Sequence, residues 1–162
     1  MFMTAGLELI LNNDSSMEYH DRFGFGNHSF FCFWDLKGSK LFVYSDKISN
    51  HSPIGELYQN AFLEYTHWKD ETKIYDFQVY SENRQGLGSM ILKYFEYKIQ
   101  HIYSLEKDHK ITGELVTSDL KYEGLSENEI SNILKGFYLK NNYLITDSKQ
   151  GWRFAYISKI IN

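Results

Sequence analysis

The sequence predicts an α/β (α+β) fold in which a mixed central sheet of about six to seven strands is flanked by helices. Short alternating or apolar runs bounded by turn residues recur along the whole chain and are typical of strands. Segments with apolar residues at helical spacing separate those runs, and in the second half strands and helices alternate. No internal repeat, low-complexity tract or Pro/Ser linker divides the 162 residues. We therefore expect one domain covering residues 1–162, with a core that needs no disulfide or structural metal.

The N-terminal part, residues 1–72, predicts strands and one helix. The strands are expected at residues 7–11, 29–36 and 41–45, with the last two joined as a hairpin. Ser52 and Pro53 form a typical helix start, and apolar or aromatic residues recur behind them at helical spacing. Those residues are Ile54, Leu57, Tyr58, Ala61, Phe62 and Tyr65. We expect a helix there, and an ordinary connection or a mobile acceptor loop at residues 23–26.

The C-terminal part, residues 73–160, predicts the order strand, helix, strand, helix, strand, strand. The strands are expected at residues 73–80, 111–117, 144–147 and 152–160. The first helix, residues 87–104, follows a polar connection with two glycines. Its apolar face is formed by Ile91, Leu92, Phe95, Ile99 and Ile102. Ser126 and Glu129 have the spacing of a capping box and predict the start of the second helix.

Residues 83–89 lie where a strand ends and a helix begins, and the free N–H groups of a helix N-terminus suit an anion. Gly86 and Gly88 allow close approach of the backbone to a phosphate, and Arg84 adds a positive charge. A P-loop needs a Gly-Lys-Ser/Thr ending, and a Rossmann fingerprint needs a third glycine where this chain has Ile91, so both motifs are excluded. The segment predicts either a pyrophosphate site of another kind or a tight strand-to-helix turn.

The wider segment FQVYSENRQGLGSMIL, residues 77–92, resembles the acyl-CoA binding motif of the GNAT N-acetyltransferase superfamily. In that motif a strand end and an R/Q-x-x-G-x-G/A run precede a long helix. Counting back from Gly86 puts the family's Arg/Gln position on Asn83. Aligning Val79 instead puts it on Arg84, and both registers stay open.

A second segment, GFYLKNNY at residues 136–143, resembles the family's F-Y-x-K-x-G-F segment near the end of its last helix. Phe137 and Tyr138 match the F-Y pair. Asn142 replaces Gly, and Asn tolerates the left-handed conformation that ends a helix. Tyr143 replaces Phe and keeps an aromatic ring there.

The resemblance covers residues 73–160 and implies a GNAT-type fold that binds acetyl-CoA as its co-substrate. The cofactor would lie where strands 73–80 and 111–117 separate, with its pyrophosphate on the amides of the glycine loop. The cofactor-binding residues that this implies are Phe77, Gln78, Val79, Arg84, Gln85, Gly86, Leu87, Gly88, Ser89 and Asn132. Residues 1–72 diverge from the family and would form the acceptor side.

The resemblance also implies N-acetyl transfer by direct attack of a primary amine on acetyl-CoA in a ternary complex. Tyr138 would protonate the leaving thiolate, and a backbone N–H at or beside Val79 would stabilise the oxyanion. Asp76 and Glu114 are the candidates for the general base, although either carboxylate is also compatible with a solvated strand position. A packing role is the alternative for Tyr138. The acceptor would be an amine-bearing small molecule, peptide or protein, and a homodimer stays open.

Composition and charge argue against several other classes of protein. The net charge of −4 and the pI near 5.8 give no footprint for nucleic acid. No apolar run is long enough for a membrane span, and residues 1–11 lack the basic region of a secretory signal, so a cytoplasmic protein is expected. The six histidines lack metal-binding spacing, and no metal is expected. Cys32, within FFCFW, is expected to be buried and inert rather than an acyl-carrying nucleophile.

Two non-enzymatic alternatives stay open beside the acetyltransferase. One is a GNAT-fold module that binds acyl-CoA or a protein partner without chemistry. The other is a regulatory subunit that pairs with another protein through its aromatic surface, since 17% of the residues are aromatic.

Overall fold

The structure, a computed structural model, describes residues 19–25, 28–47, 56–80, 86–116, 124–150 and 153–161. Within these ranges the chain forms eight strands and two helices. The strands are β1 (Tyr19–Phe25), β2 (His28–Asp35), β3 (Lys40–Lys47), β4 (Glu56–His67), β5 (Glu71–Val79), β6 (His109–Val116), β7 (Leu144–Gln150) and β8 (Arg153–Ile161). The helices are α1 (Leu87–Ile102) and α2 (Glu127–Lys140). No helix in the described ranges is long and apolar enough to cross a membrane.

The strands form one mixed sheet in the order β1-β2-β3-β4-β5-β6-β8-β7. Neighbours β1/β2, β2/β3, β3/β4, β6/β8 and β7/β8 pair antiparallel. Strands β5 and β6 pair in parallel and are joined through α1, because parallel neighbours need a crossover connection. Their register joins Glu71–Ile74 to residues 110–113, and β5 continues to Val79. The mixed α and β class is confirmed, with eight described strands where six to seven were expected.

The helix predicted behind Pro53 is wrong, because the described part of this segment is strand β4. Ala61, Leu63 and Tyr65 are buried, and the residues between them are only half-buried, which is the period of a strand. These side chains pair across β3, with Leu63 opposite Leu41. Apolar and aromatic residues of this segment satisfy both helical spacing and strand alternation, and cross-strand pairing decides between the two. Ser52, Pro53 and the strand predicted at residues 7–11 lie outside the described residues.

The connection predicted at residues 23–26 is also wrong in its described part, since β1 continues to Phe25. Phe23 lies opposite Phe30 of β2, and the two rings stack with centroids 5.2 Å apart. The hairpin predicted for β2 and β3 is confirmed, and its strands pair from Phe30↔Ser45 to Asp35↔Lys40.

The chain divides into two compact units, of which the first comprises Met1–Tyr65 and Asp76–Gly88. Its core lies on one face of β2, β3 and β4, because residues directly opposite each other share a face. The rows Cys32↔Val43↔Ala61 and Trp34↔Leu41↔Leu63 are fully buried. Trp34 meets Tyr65 edge-on, with the ring centroids 6.0 Å apart. The predicted burial of Cys32 is confirmed.

The second unit comprises Thr66–Tyr75 and Ser89–Asn162. The apolar face predicted for α1 is buried at Ile91, Leu92, Phe95 and Ile99. On β6 and β8 the buried face carries Ile111, Leu115, Ala155 and Ile157. A side chain at Gly113 would meet the Ile157 side chain at 3.0 Å and the Ile74 carbonyl oxygen at 3.2 Å, so a larger residue fits only if these neighbours shift slightly. The expectation of one domain stays a prediction.

The capping box predicted for α2 is confirmed. Ser126 has an extended backbone, and its hydroxyl accepts a hydrogen bond from the amide of Glu129. The carboxylate of Glu129 accepts from the amide of Ser126 at 2.8 Å in return. This reciprocal pair satisfies two of the free N–H groups at the start of the helix.

Candidate functional site

The glycine connection leads directly into α1. Gly86 has φ +93°, a conformation that favours glycine, and the helix begins at Leu87, which is fully buried. The first turn of α1 holds no acidic residue, so its free N–H groups and the positive end of the helix dipole face no carboxylate of their own turn. Asn83, Arg84 and Gln85 lie outside the described residues, so the register of the motif stays open.

Ser89, in the first turn of α1, is bonded to the end of α2. The side-chain amide of Asn141 donates to Ser89 Oγ at 3.0 Å and to the Phe137 carbonyl oxygen at 2.8 Å. Asn141 is buried, so loss of these bonds would leave polar groups unsatisfied. Sequence reasoning missed Asn141. The available signal was its position between the F-Y pair and Asn142.

The end of α2 has the left-handed conformation that the second motif predicts. Asn142 has φ +64°, and its amide donates to the Leu139 carbonyl oxygen at 3.0 Å. The amide of Tyr143 donates to the Tyr138 carbonyl oxygen at 3.0 Å. These two bonds form a Schellman motif, which ends the helix and turns the chain towards β7.

Tyr138 is buried, with 6% of its surface exposed. Its ring meets Phe137 edge-on at 5.0 Å and Tyr143 edge-on at 5.3 Å between centroids. These contacts agree with the packing alternative, and a role as catalytic acid stays a prediction.

Tyr143 belongs to a buried polar cluster. Its hydroxyl donates to Glu96 Oε1 at 2.9 Å, and Lys159 Nζ donates to Glu96 Oε2 at 2.6 Å and to the Asn141 carbonyl oxygen at 3.1 Å. Burial, and then the charge of Glu96, raise the pKa of Tyr143 far above its usual range. The Tyr143 hydroxyl therefore stays protonated, and the cluster fixes the segment that follows α2.

The first candidate base, Asp76, lies on the part of β5 that belongs to the first unit. Gln78 Nε2 donates to Asp76 Oδ2 at 2.9 Å, which confirms that these two side chains share a face of the strand, as alternation predicts. Phe77 and Val79 occupy the alternate positions, and all four residues are half-buried.

The second candidate base, Glu114, lies on β6 in the second unit and is held by two cations. Lys73 Nζ approaches Glu114 Oε1 at 2.7 Å, and Arg153 approaches Oε2 at 2.5 Å. The hydrogen bond from Lys73, with a further contribution from Arg153, holds the pKa of Glu114 below its usual value. A carboxylate in this state has a low affinity for protons and is a weak base.

The remaining predicted residue, Asn132, lies exposed on α2. Among the described residues no three His, Cys, Asp or Glu side chains form a group that could hold a metal ion.

No family model matches the sequence, and no curated protein matches it. The likeness to the GNAT superfamily therefore rests on the two motifs themselves.

Proposed function

We propose that the protein is a GNAT-type N-acetyltransferase that transfers acetyl from acetyl-CoA to a primary amine. The observation that carries the proposal is the β5–α1–β6 unit. Its two strands pair in parallel, and its helix begins directly after Gly86 at positive φ with no acidic residue in the first turn. The left-handed Asn142 at the end of α2 supports the proposal, because it provides the conformation that the family obtains with glycine.

In this proposal the pyrophosphate of the cofactor binds the amides at the start of α1, from Gly86 to Ser89. Amide groups and the helix dipole bind phosphate at such positions. The pantetheine would lie along residues 77–79 and the amide of Val79 would accept the developing oxyanion. Residues 1–72 would form the acceptor side. We expect the protein in the cytoplasm.

The proposed reaction is a direct acyl transfer. The neutral amine nitrogen attacks the thioester carbon, the C–N bond forms, and collapse of the tetrahedral intermediate breaks the C–S bond. The leaving thiolate takes a proton from Tyr138, and the base takes the proton that the amine loses. We assign the base to Asp76, because the two cations on Glu114 lower its affinity for a proton.

The second candidate function is a module that binds acyl-CoA without chemistry. The burial of Tyr138 between two aromatic rings favours it, since a side chain packed in this way has little exposed surface for contact with a thiolate. The two candidates make the same prediction for cofactor binding and differ in turnover.

A thermal-shift titration with acetyl-CoA, CoA and ATP tests the proposal first. A ligand at about 100 times its dissociation constant stabilises the folded state by about 2.7 kcal/mol, or roughly 5–10 °C in melting temperature at this chain length. We expect shifts with acetyl-CoA and CoA but not with ATP, followed by release of CoA when a panel of amines is added. Shifts without CoA release from any amine would favour the non-catalytic module. No shift with either CoA species would overturn both.

A further inference from the structure

Three polar side chains from separate segments of the second unit form a hydrogen-bonded chain that the proposed reaction does not use. His67 Nδ1 lies 2.9 Å from Thr72 Oγ1, and the same oxygen lies 2.8 Å from His109 Nε2. Thr72 and His109 are fully buried, and His67 is half-buried. The His67 ring also stacks on Tyr103, with the centroids 3.8 Å apart.

The three side chains share few hydrogens that can form these hydrogen bonds. A threonine hydroxyl has one hydrogen, and because Thr72 is fully buried that hydrogen needs an acceptor, so Thr72 donates to one imidazole and accepts from the other. The second ring nitrogen of His109, Nδ1, is buried and has no hydrogen-bond partner among the residues that the structure describes. A hydrogen on that atom would be a buried unsatisfied donor, which is costly. His109 therefore carries its hydrogen on Nε2 and donates to Thr72, and Thr72 donates to Nδ1 of a neutral His67.

A proton added to His67 disrupts this arrangement. It binds at Nδ1, where it meets the hydroxyl hydrogen of Thr72. If the hydroxyl turns away from both rings, its own hydrogen is left buried and unsatisfied. It can turn towards His109 only if the hydrogen of that ring moves from Nε2 to Nδ1. A second charge on His109 would lie against the first, because the ring centroids are 5.3 Å apart. Consistent with this, the pKa of His67 is lowered, mainly by burial and to a smaller extent by the electrostatic interaction with His109.

The charged groups of the neighbouring segments do not compensate a positive charge on either ring. Lys69 pairs with Glu106 at 2.8 Å, and Glu71 accepts a hydrogen bond from Thr112. The other charged side chains of these segments are exposed, namely Asp70, Lys107, Asp108 and Lys110. Within the described ranges, no carboxylate hydrogen-bonds to His67 or His109.

We propose that the His67–Thr72–His109 chain is a proton-sensitive latch that fastens the starts of β5 and β6 at neutral pH and opens in mild acid. Thr72 lies opposite Ile111 in the parallel register. At the same end of the strands, the Lys110 amide donates to the Asp70 carbonyl oxygen at 3.0 Å. Opening the latch exposes this part of the backbone first.

The direction of the pH effect follows from the proton balance. The lowered pKa keeps His67 neutral in the folded protein, whereas an unfolded histidine binds a proton below about pH 6.5. The unfolded state therefore holds more protons in acid, and the stability from the latch is complete above about pH 6.5 and lost below it. Each such proton lowers the melting temperature by up to about 3–5 °C per pH unit at this chain length.

The test compares melting temperature between about pH 7.5 and about pH 5.5 for the wild type and two variants. His67→Asn keeps an acceptor for Thr72 but does not titrate. We expect the melting temperature of this variant to fall less in acid than that of the wild type. His101→Asn is the matched control. His101 is exposed on α1, with Nδ1 against the Tyr97 carbonyl oxygen, so this variant should keep the wild-type pH dependence. If the melting temperature of His67→Asn falls in acid as much as that of the wild type, the proposed latch is wrong.

A second measurement needs no substitution. Nitrogen-15 NMR of the imidazole rings at neutral pH should find a hydrogen on Nε2 of both histidines and none on Nδ1 of His109. In mild acid, hydrogen exchange should lose more protection at the Lys110 amide than at the amides of α1. A hydrogen on Nδ1 of His109 at neutral pH, or a uniform loss of protection, would contradict the latch.

Discussion

Asn141 donates a hydrogen bond to Ser89 across 52 residues of sequence, and so joins the end of α2 to the first turn of α1 within the second unit. Each residue belongs to one of the two segments that resemble the GNAT motifs. The bond connects the segment that carries Tyr138 to the helix start at which we propose the pyrophosphate binds.

Replacement of Asn141 by Asp should destabilise the protein. The carboxylate cannot donate to Ser89 or to the Phe137 carbonyl oxygen, and it adds a negative charge at the negative end of the α2 dipole. We expect a loss of about 1–3 kcal/mol, or roughly 2–12 °C in melting temperature. Asn142→Asp is the control, because Asn142 is exposed and Asp tolerates its left-handed conformation. Equal losses in the two variants would argue against a special role of the Asn141 amide.

Gly86→Ala should weaken the binding of CoA. Gly124→Ala is the matched control, since Gly124 also has positive φ and precedes a helix. Both substitutions strain the backbone by about 1–2 kcal/mol. In calorimetric titrations we expect the dissociation constant of CoA to rise about tenfold in Gly86→Ala only, which corresponds to a loss of about 1.4 kcal/mol. Similar constants in the two variants would mean that the glycine serves only the turn.

Tyr138→Phe tests the catalytic acid. The ring contacts with Phe137 and Tyr143 remain, so the fold and the affinity for CoA should persist, while kcat falls by about 100-fold or more. Tyr143→Phe is the control. It loses the bond to the Glu96 carboxylate and about 1.5–3 kcal/mol of stability, but its folded fraction should keep the turnover of the wild type. Full turnover in Tyr138→Phe would leave this tyrosine a packing residue.

Asp76→Asn and Glu114→Gln distinguish the two candidate bases. If Asp76 takes the proton of the amine, Asp76→Asn should lower kcat by about 100-fold and remove the acidic limb of the pH–rate profile. Glu114→Gln should keep that limb, because the carboxylate it removes is already neutralised by Lys73 and Arg153. Loss of the acidic limb in Glu114→Gln alone would reverse the assignment.

The stability that Glu114 provides should depend on pH. Its pKa is lowered in the folded state, so its contribution is present above the pKa of the unfolded chain and is lost as the pH falls. At neutral pH, Glu114→Gln should be less stable than the wild type by roughly 1 kcal/mol, a modest value because water still reaches these side chains. Chemical unfolding should find that this difference shrinks as the pH falls below the pKa of an unfolded glutamate, about 4.3, and disappears once the folded carboxylate is protonated. Glu106→Gln, which removes the partner of the exposed Lys69, should change stability little at any pH.

The features that the sequence predicts correctly are those that depend on residues close together in the sequence. The capping box needs only Ser126 and Glu129, and the left-handed end of α2 needs only a residue such as Asn142 that tolerates it. The apolar residues of strand β4 fit the spacing of a helix as well as that of a strand. Only the pairing of Leu63 with Leu41 of another strand decides between them. The bond between Asn141 and Ser89 and the His67–Thr72–His109 chain join distant segments, so no local pattern marks them.

The burial of Cys32 provides a separate probe for the first unit. Cys32 is the only cysteine of the chain, and it lies on β2 in the buried row that includes Val43 of β3 and Ala61 of β4. A thiol reagent can reach it only when that unit opens, so the rate of alkylation measures the free energy of opening there. Amide exchange at Lys110 measures the same quantity in the second unit. The resistance of each unit to opening can thus be followed in one unlabelled wild-type sample.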